Sequence, residues 1–282
     1  MRIVSLDPGA TAILRAIGLA AEVVAIADDP SPGDAAELGQ GPYVARATYG
    51  LDGRRHLEVD GQALAAAGPD LLVVPGGVTL DPVVTAGASV LRHDPSSLEG
   101  VFHAIATLGA MTSSEDAALG LVEELRDQLG GIEERVRERL GEGLVPLRVV
   151  MLEWFEPPWT AGRWIPEQIR RAGGWELLGN EGEPSRPTDW EAIAEVDPEA
   201  LFLMCRGAGL RSAMRAWERL PKPEGWTDLE AVRRGQVFAV DARTYFTEPG
   251  PQLVDGIALV AELLDPEGHA GIAPEAGWAP LV

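Results

Sequence analysis

A chain of 282 residues is long enough for one large or two medium domains, each with its own core. Its 23 Lys and Arg stand against 44 Asp and Glu, a formal net charge of −21, which argues against binding to phosphate backbones or anionic membrane surfaces. A single cysteine, Cys205, excludes an internal disulfide framework and multi-cysteine metal sites, and no stretch approaches the roughly 20 apolar residues that span a bilayer.

Met1-Arg2 leads straight into Ile3-Val4-Ser5-Leu6, with no apolar h-region or cleavage site. The chain as written is therefore expected to stay cytoplasmic. If a signal was removed ahead of it, the compartment becomes periplasmic or extracellular. Over residues 1–112 short apolar runs (Ile3 to Leu6, Val23 to Ala27, Leu71 to Val74, Val90 to Leu91) alternate with helical stretches at Ala10 to Ile17, Gly61 to Ala67, Pro82 to Ala86 and Ser97 to Leu108. That rhythm predicts parallel strands covered by helices. Asp28 to Gly53, rich in Pro, Gly, Asp and Ser, reads as a long loop.

Residues 113–141 change register. Ala118, Leu121, Leu125, Leu129, Ile132, Val136 and Leu140 recur at three- and four-residue steps. The spacing predicts one helix of about 40 Å at 1.5 Å per residue. Gly130-Gly131 is its weak point, and Gly141, Gly143 and Pro146 end it. Strands are then expected at Leu147 to Leu152, Ala200 to Met204 and Val237 to Val240. Helices are expected at Pro166 to Ala172, Trp190 to Ala194, Leu210 to Arg219 and Pro251 to Leu264. The tail after Pro266 reads as loosely held surface chain. The predicted fold class is α/β: two Rossmann-like lobes with mainly parallel sheets, joined by one long α-helix. The divisions are 1–112, 113–145 and 146–282.

Catalytic signatures are missing: no phosphate-binding loop, H-E-x-x-H, G-x-S-x-G or calcium-binding loop occurs. His56, His93, His103 and His269 show no i, i+3 or i, i+4 pairing and read as surface or packing residues rather than metal ligands. No catalytic set can be assembled, so an enzyme is not expected. All eight tryptophans follow residue 150. Trp154 to Trp164, directly after a predicted strand, suits the wall of a site for a flat, largely apolar ligand, because ligands of open α/β sheets sit outside the carboxyl ends of the strands. Trp175 and Trp217 are expected to close the core of the second lobe. Phe246 to Pro251 reads either as a rigid rim or as a turn that starts a helix. Asp7-Pro8-Gly9-Ala10-Thr11 offers free N–H groups to a polar ligand edge.

Arg2 to Thr11 with Ile17-Gly18-Leu19, Pro69 to Val73, Leu152-Glu153-Trp154 with Pro157-Pro158 and Ala161 to Glu167, Val237 to Asp241, and Pro249 to Gly256 together carry a likeness over nearly the whole chain. The chain resembles the cobalamin-binding substrate-binding proteins of ABC-type importers, whose lobes are connected by a rigid helix. The resemblance implies a non-catalytic monomer with no cofactor or metal of its own, gripping a corrinoid between its lobes; the packed rod of about 40 Å itself predicts little lobe movement on binding. The ligand-binding set it implies is Pro8, Gly9, Ala10, Tyr49, Gly76, Gly77, Trp154, Trp159, Trp164, Phe246, Pro249 and Gly250. It also implies docking on an ABC permease through one acid per lobe, for which Asp81 and Glu191 stand nearest; an ordinary helix N-terminal acid is the favoured reading of each. Gly9, Ala12, Arg163, Glu248, Gln252 and the loop Pro75 to Val78 depart from the family pattern and change the polarity of the surface. Haem or a ferric siderophore is therefore an alternative ligand, and a cytoplasmic corrinoid carrier without a permease an alternative role.

Overall fold

The computed structural model describes residues 1–28, 42–49, 55–78, 85 and 87–282. They form two compact units. The first comprises Met1–Pro95, Glu99–Glu124 and Pro249–Pro251; the second comprises Ser96–Leu98, Leu125–Glu248 and Gln252–Val282.

In the first unit the chain runs β1 (Ile3–Ser5), α1 (Pro8–Ala16), β2 (Val23–Asp28), β3 (Tyr43–Tyr49), β4 (Arg55–Val59), α2 (Gly61–Ala67), β5 (Leu71–Pro75) and β6 (Ser89–His93), followed by α3 (Leu98–Thr112). The sheet order is β4-β3-β2-β1-β5-β6, with only the β3–β4 pair antiparallel. Central β1 is buried along its length, flanked by parallel β2 and β5, which is why it reads as an unbroken apolar run rather than an alternating one. Val4, Leu6, Ala25, Val44, Leu64, Leu72 and Val74 form the core on one face.

The long helix is α4 (Glu115–Gly141), entered after Ser113 takes a left-handed turn at φ 54°. Its first ten residues belong to the first unit and the remainder to the second. Ala118, Leu125, Leu129, Ile132 and Val136 are buried as the spacing predicts, whereas Leu140, in the last turn, is 39% exposed. The helix continues unbroken through Gly130-Gly131, and a Cβ added at either glycine would meet nothing within 4 Å. Gly130→Ala and Gly131→Ala should therefore each raise stability by about 0.5–1 kcal/mol. Urea unfolding of the double variant measures it, and no gain would contradict the helix as described.

The second unit contains β7 (Arg148–Phe155), β8 (Pro158–Thr160), α5 (Ile165–Arg171), β9 (Trp175–Glu176), α6 (Trp190–Val196), β10 (Ala200–Leu203), α7 (Leu210–Arg219), α8 (Glu230–Arg233), β11 (Val237–Val240), α9 (Leu253–Leu264) and β12 (Trp278–Pro280). Its sheet order is β12-β11-β10-β7-β8, with β9 parallel to the first half of β7. β7, β10 and β11 are mutually parallel. The α/β class is the one the alternation of apolar runs predicts.

Three expectations need correction. Within the segment expected to be a loop from Asp28 to Gly53, Tyr43–Tyr49 is strand β3, held between β2 and β4. The tail is tied down, because Trp278–Pro280 pairs antiparallel with β11 and occupies the edge that strand would otherwise expose. Trp175 is 62% exposed, since it lies in a two-residue edge strand and turns outward. Trp217, at 3%, does close the core as expected. The expected helix at Pro82 to Ala86 falls largely outside the described residues. Among the described residues no helix is long and apolar enough to cross a membrane.

Candidate ligand-binding site

Both sheets have a point where the strand order reverses. In the first unit the chain builds outward from β1 through β2 to β4, then returns to place β5 on the other side of β1. The crevice at the carboxyl ends of β1 and β5 is where an open α/β sheet takes its ligand. Asp7-Pro8-Gly9 leaves β1 there and Gly76-Gly77 leaves β5.

The sequence dictates the shape of both turns. Asp7 is extended at φ −118° and its carboxylate accepts the Ala10 N–H at 2.8 Å, capping α1. Pro8 follows in the first turn, where its missing N–H costs nothing. Ser5 Oγ donates to the Asp7 carbonyl at 3.0 Å, and the Thr11 hydroxyl lies 2.8 Å from both that carbonyl and Ser5 Oγ. Ala10 is fully buried and Gly9 nearly so; Pro8 is half-buried. A Cβ on Gly9 would stand 2.7 Å from the Pro249 carbonyl oxygen, so this unit brings Gly9 and Pro249 together. Gly76 donates to the His93 carbonyl at 3.0 Å, and Gly77 takes φ 77°. The side chain of Tyr49 and all of Asp81 lie outside the described residues.

In the second unit β8 and β9 flank one side of β7, and β10 begins the other. The corresponding crevice lies at the ends of β7 and β10, where Glu153-Trp154 and Met204 to Gly207 emerge. Glu153 is 6% exposed. It accepts the Gly162 N–H at 3.0 Å and pairs with Arg206 at 3.1 Å. Burial drives its carboxyl above the ordinary carboxylate range, while Arg206, the Gly162 amide and Ser185 pull the other way. Arg206 keeps 36% of its side chain exposed, so a buried carboxylate holds a guanidinium at the edge of the crevice. Nothing in the sequence marked this pair, because its members stand 53 residues apart.

Trp154 and Trp159 face each other across the β7–β8 pair, both half-buried. Trp154 donates to the Glu156 carbonyl at 2.9 Å and stacks near Phe155 at 6.4 Å between centroids. Trp164 and Phe246 are 4% and 0% exposed, and the Trp164 indole donates to the Phe246 carbonyl at 2.7 Å. Gln168, fully buried, donates to the carbonyls of Leu253 at 2.8 Å and Tyr245 at 3.2 Å. These two residues hold the segment after β11 from within. Gly250 is buried and belongs to the first unit with Pro249. Glu191 is exposed in the first turn of α6, which Asp189 caps by accepting the Ala192 N–H at 2.8 Å.

Four of the eight tryptophans, Trp164, Trp190, Trp217 and Trp226, serve the interior. Trp217 lies 4.9 Å from Trp226, 5.9 Å from Trp190 and 5.6 Å from Phe155, centroid to centroid. Of the histidines, His93 and His269 are buried while His56 and His103 are exposed. Among the described residues no three His, Cys, Asp or Glu side chains come together as a metal site requires.

Two α/β units, each with a mainly parallel sheet and turns leaving its strand ends at a switch point, have the architecture in which open sheets take their ligands. Residues 3–244 match the family model described as periplasmic binding protein, and the chain belongs to that family. No curated protein matches it in sequence. Among solved structures it is similar to a periplasmic heme binding protein from Pseudomonas aeruginosa, with 21% identity over 94% of this chain and 93% of that one at TM-score 0.75. It is also similar to an ABC-type Fe3+-hydroxamate transport system protein from Saccharomonospora viridis, with 24% identity, 94% and 93% coverage and TM-score 0.72. A third is the periplasmic vitamin B12 binding protein of Vibrio cholerae, with 20% identity, 93% and 96% coverage and TM-score 0.66. At these identities the likeness carries the fold alone.

Proposed function

We propose that this chain is a non-catalytic binding protein for a planar or near-planar metal chelate, with a corrinoid of the cobalamin kind as the first reading. Its role is to deliver that ligand to an ABC-type permease. The observation that carries the reading is the Trp154–Trp159 pair set across two strands beside the switch point of the second sheet. Two half-buried indoles at that edge offer a flat apolar ligand the face it needs. The fold is shared with a vitamin B12 binding protein and equally with heme binding and Fe3+-hydroxamate proteins, so it is compatible with either reading. The ligand-contacting residues we assign are Pro8, Gly76, Gly77, Trp154 and Trp159, with the buried Gly9 and Ala10 forming the turn behind Pro8. Trp164, Phe246, Pro249 and Gly250 shape the surroundings. Glu191, exposed at the start of α6, is the docking acid.

Haem or a ferric siderophore is the second reading. Arg206 favours it, because a guanidinium anchored by a buried carboxylate suits a ligand that carries acidic groups. Parallel titrations with cyanocobalamin, haemin and ferrioxamine, followed by tryptophan quenching and ligand absorbance, separate the readings. Saturable binding of the corrinoid alone supports the first, and binding of haemin or ferrioxamine alone supports the second. Failure of all three at micromolar concentration would overturn both. Quenching is expected to be partial, since the Trp190–Trp217–Trp226 cluster is internal.

A further inference from the structure

Beneath the crevice of the first unit lies a histidine that the binding surface does not itself use. His93 ends β6 at 3% exposure, and its Nδ1 stands 2.9 Å from Asp7 Oδ1. The same oxygen accepts the Ala10 N–H at 2.8 Å. Capping requires Oδ1 as an acceptor, so Nδ1 is the donor in this pair. Nε2 is buried and finds no hydrogen-bond partner among the described residues. An orphaned buried polar atom costs about 1–3 kcal/mol, which an apolar ring of the same volume would avoid. What the imidazole supplies in return is the bond to Asp7.

That bond has a mechanical consequence. A capping aspartate anchored only by a backbone N–H can rotate; one held by a second, buried donor keeps a single rotamer. The His93 carbonyl meanwhile accepts the Gly76 N–H at 3.0 Å. A Cβ on Gly76 would stand 2.0 Å from Asp94 Cγ, so a side chain there requires Asp94 to move. One residue thus touches both turns of the crevice, Pro8 to Ala10 through Asp7 and Gly76-Gly77 through its main chain.

We propose that His93 is a positioning residue for the ligand turn Pro8-Gly9-Ala10, acting through Asp7. The inference rests on reading that turn as part of the binding site, and it can fail separately from that reading. His93→Asn places an amide N–H near the position of Nδ1 and lacks Nε2. His93→Phe keeps the ring and lacks the donor. In the full ligand-free chain, amide exchange at Ala10 and Thr11 should quicken by about tenfold in His93→Phe, the loss of about 1.4 kcal/mol of hydrogen bonding. It should stay near wild type in His93→Asn, even if both variants melt at lower temperature. Equal exchange in the two variants overturns the proposal.

If the phenylalanine variant does not fold, the imidazole nitrogen spectrum of the wild type decides. It must show a proton on Nδ1, and an Nδ1 without one refutes the arrangement. With whichever of cyanocobalamin, haemin or ferrioxamine the wild type binds, affinity should fall about tenfold in His93→Phe and recover in His93→Asn. If none binds, the binding reading fails while the exchange result still decides the role of His93.

Discussion

Phe246→Ala is expected to destabilise the second unit by about 3–5 kcal/mol, the usual cost of emptying a fully buried aromatic site. The ring is 0% exposed, and its Cε1 would lie only 3.3 Å from a Cβ on Gly256 of α9. The cavity cannot close cheaply. Gln168 holds the Tyr245 and Leu253 carbonyls, and Trp164 holds the carbonyl of Phe246 itself, so the backbone on either side is pinned. Urea unfolding measures the loss, and Phe246→Leu, which leaves a smaller void, should lose much less. The comparison also decides what Phe246 is for. A residue whose ring faces the ligand would lose little stability on truncation and much affinity. A change below about 1 kcal/mol with a large loss of binding would make Phe246 a ligand wall after all.

The second large effect is one of pH. Glu176, at the end of β9, accepts the N–H groups of Gly179 at 2.9 Å, Leu178 at 3.2 Å and Met151 at 3.1 Å. Among the described residues no cation contributes, and burial of the carboxyl outweighs those bonds, pushing it up to about 7 from an ordinary 4.5. The residue is partly exposed over its stem, while the carboxyl lies under the three amides. A folded value raised above the unfolded one means the fold prefers the protonated acid. The contribution of Glu176 is therefore fully present below about pH 4.5 and is lost as pH rises through 7. Between pH 5 and 8 the loss amounts to about 2–3 kcal/mol. Glu176→Gln removes the titration, so the variant should gain on the wild type by that amount across the window, whatever its offset at pH 5. Unfolding free energies at both pH values test this; parallel pH dependence of the two proteins would refute the assignment.

Such effects show why some features of this chain are legible from one sequence and others are not. Local periodicity reports burial on one face of one element. It located α4 within two residues, because Ala118 to Val136 repeat at the helical step and nothing long-range overrides them. Continuous apolar runs marked β1, β5, β7, β10 and β11, which are covered on both faces. Edge strands carry no such signal. β8, β9 and β12 are short and become strands only because a neighbour leaves hydrogen-bonding groups unpaired, while β3, internal between β2 and β4, alternates buried and exposed residues and so lacks the continuous apolar run.

The candidate site divides along the same line. Asp7-Pro8-Gly9 and the tryptophan-rich loop after β7 were visible, since turn chemistry and composition are local properties. Whether each tryptophan faces the crevice, the core or solvent was not visible. Trp159, Trp164 and Trp175 lie within 17 residues of one another yet end half-buried, buried and exposed.

The sequence by itself determined the α/β class, the long helix and the turns that leave the strand ends, because each follows from spacing and backbone preference over a few residues. Only the tertiary structure decided that His93 meets Asp7 and that Glu153 meets Arg206. Those pairs join residues 86 and 53 positions apart in the chain. The sheet order alone makes them neighbours, and no local pattern encodes it.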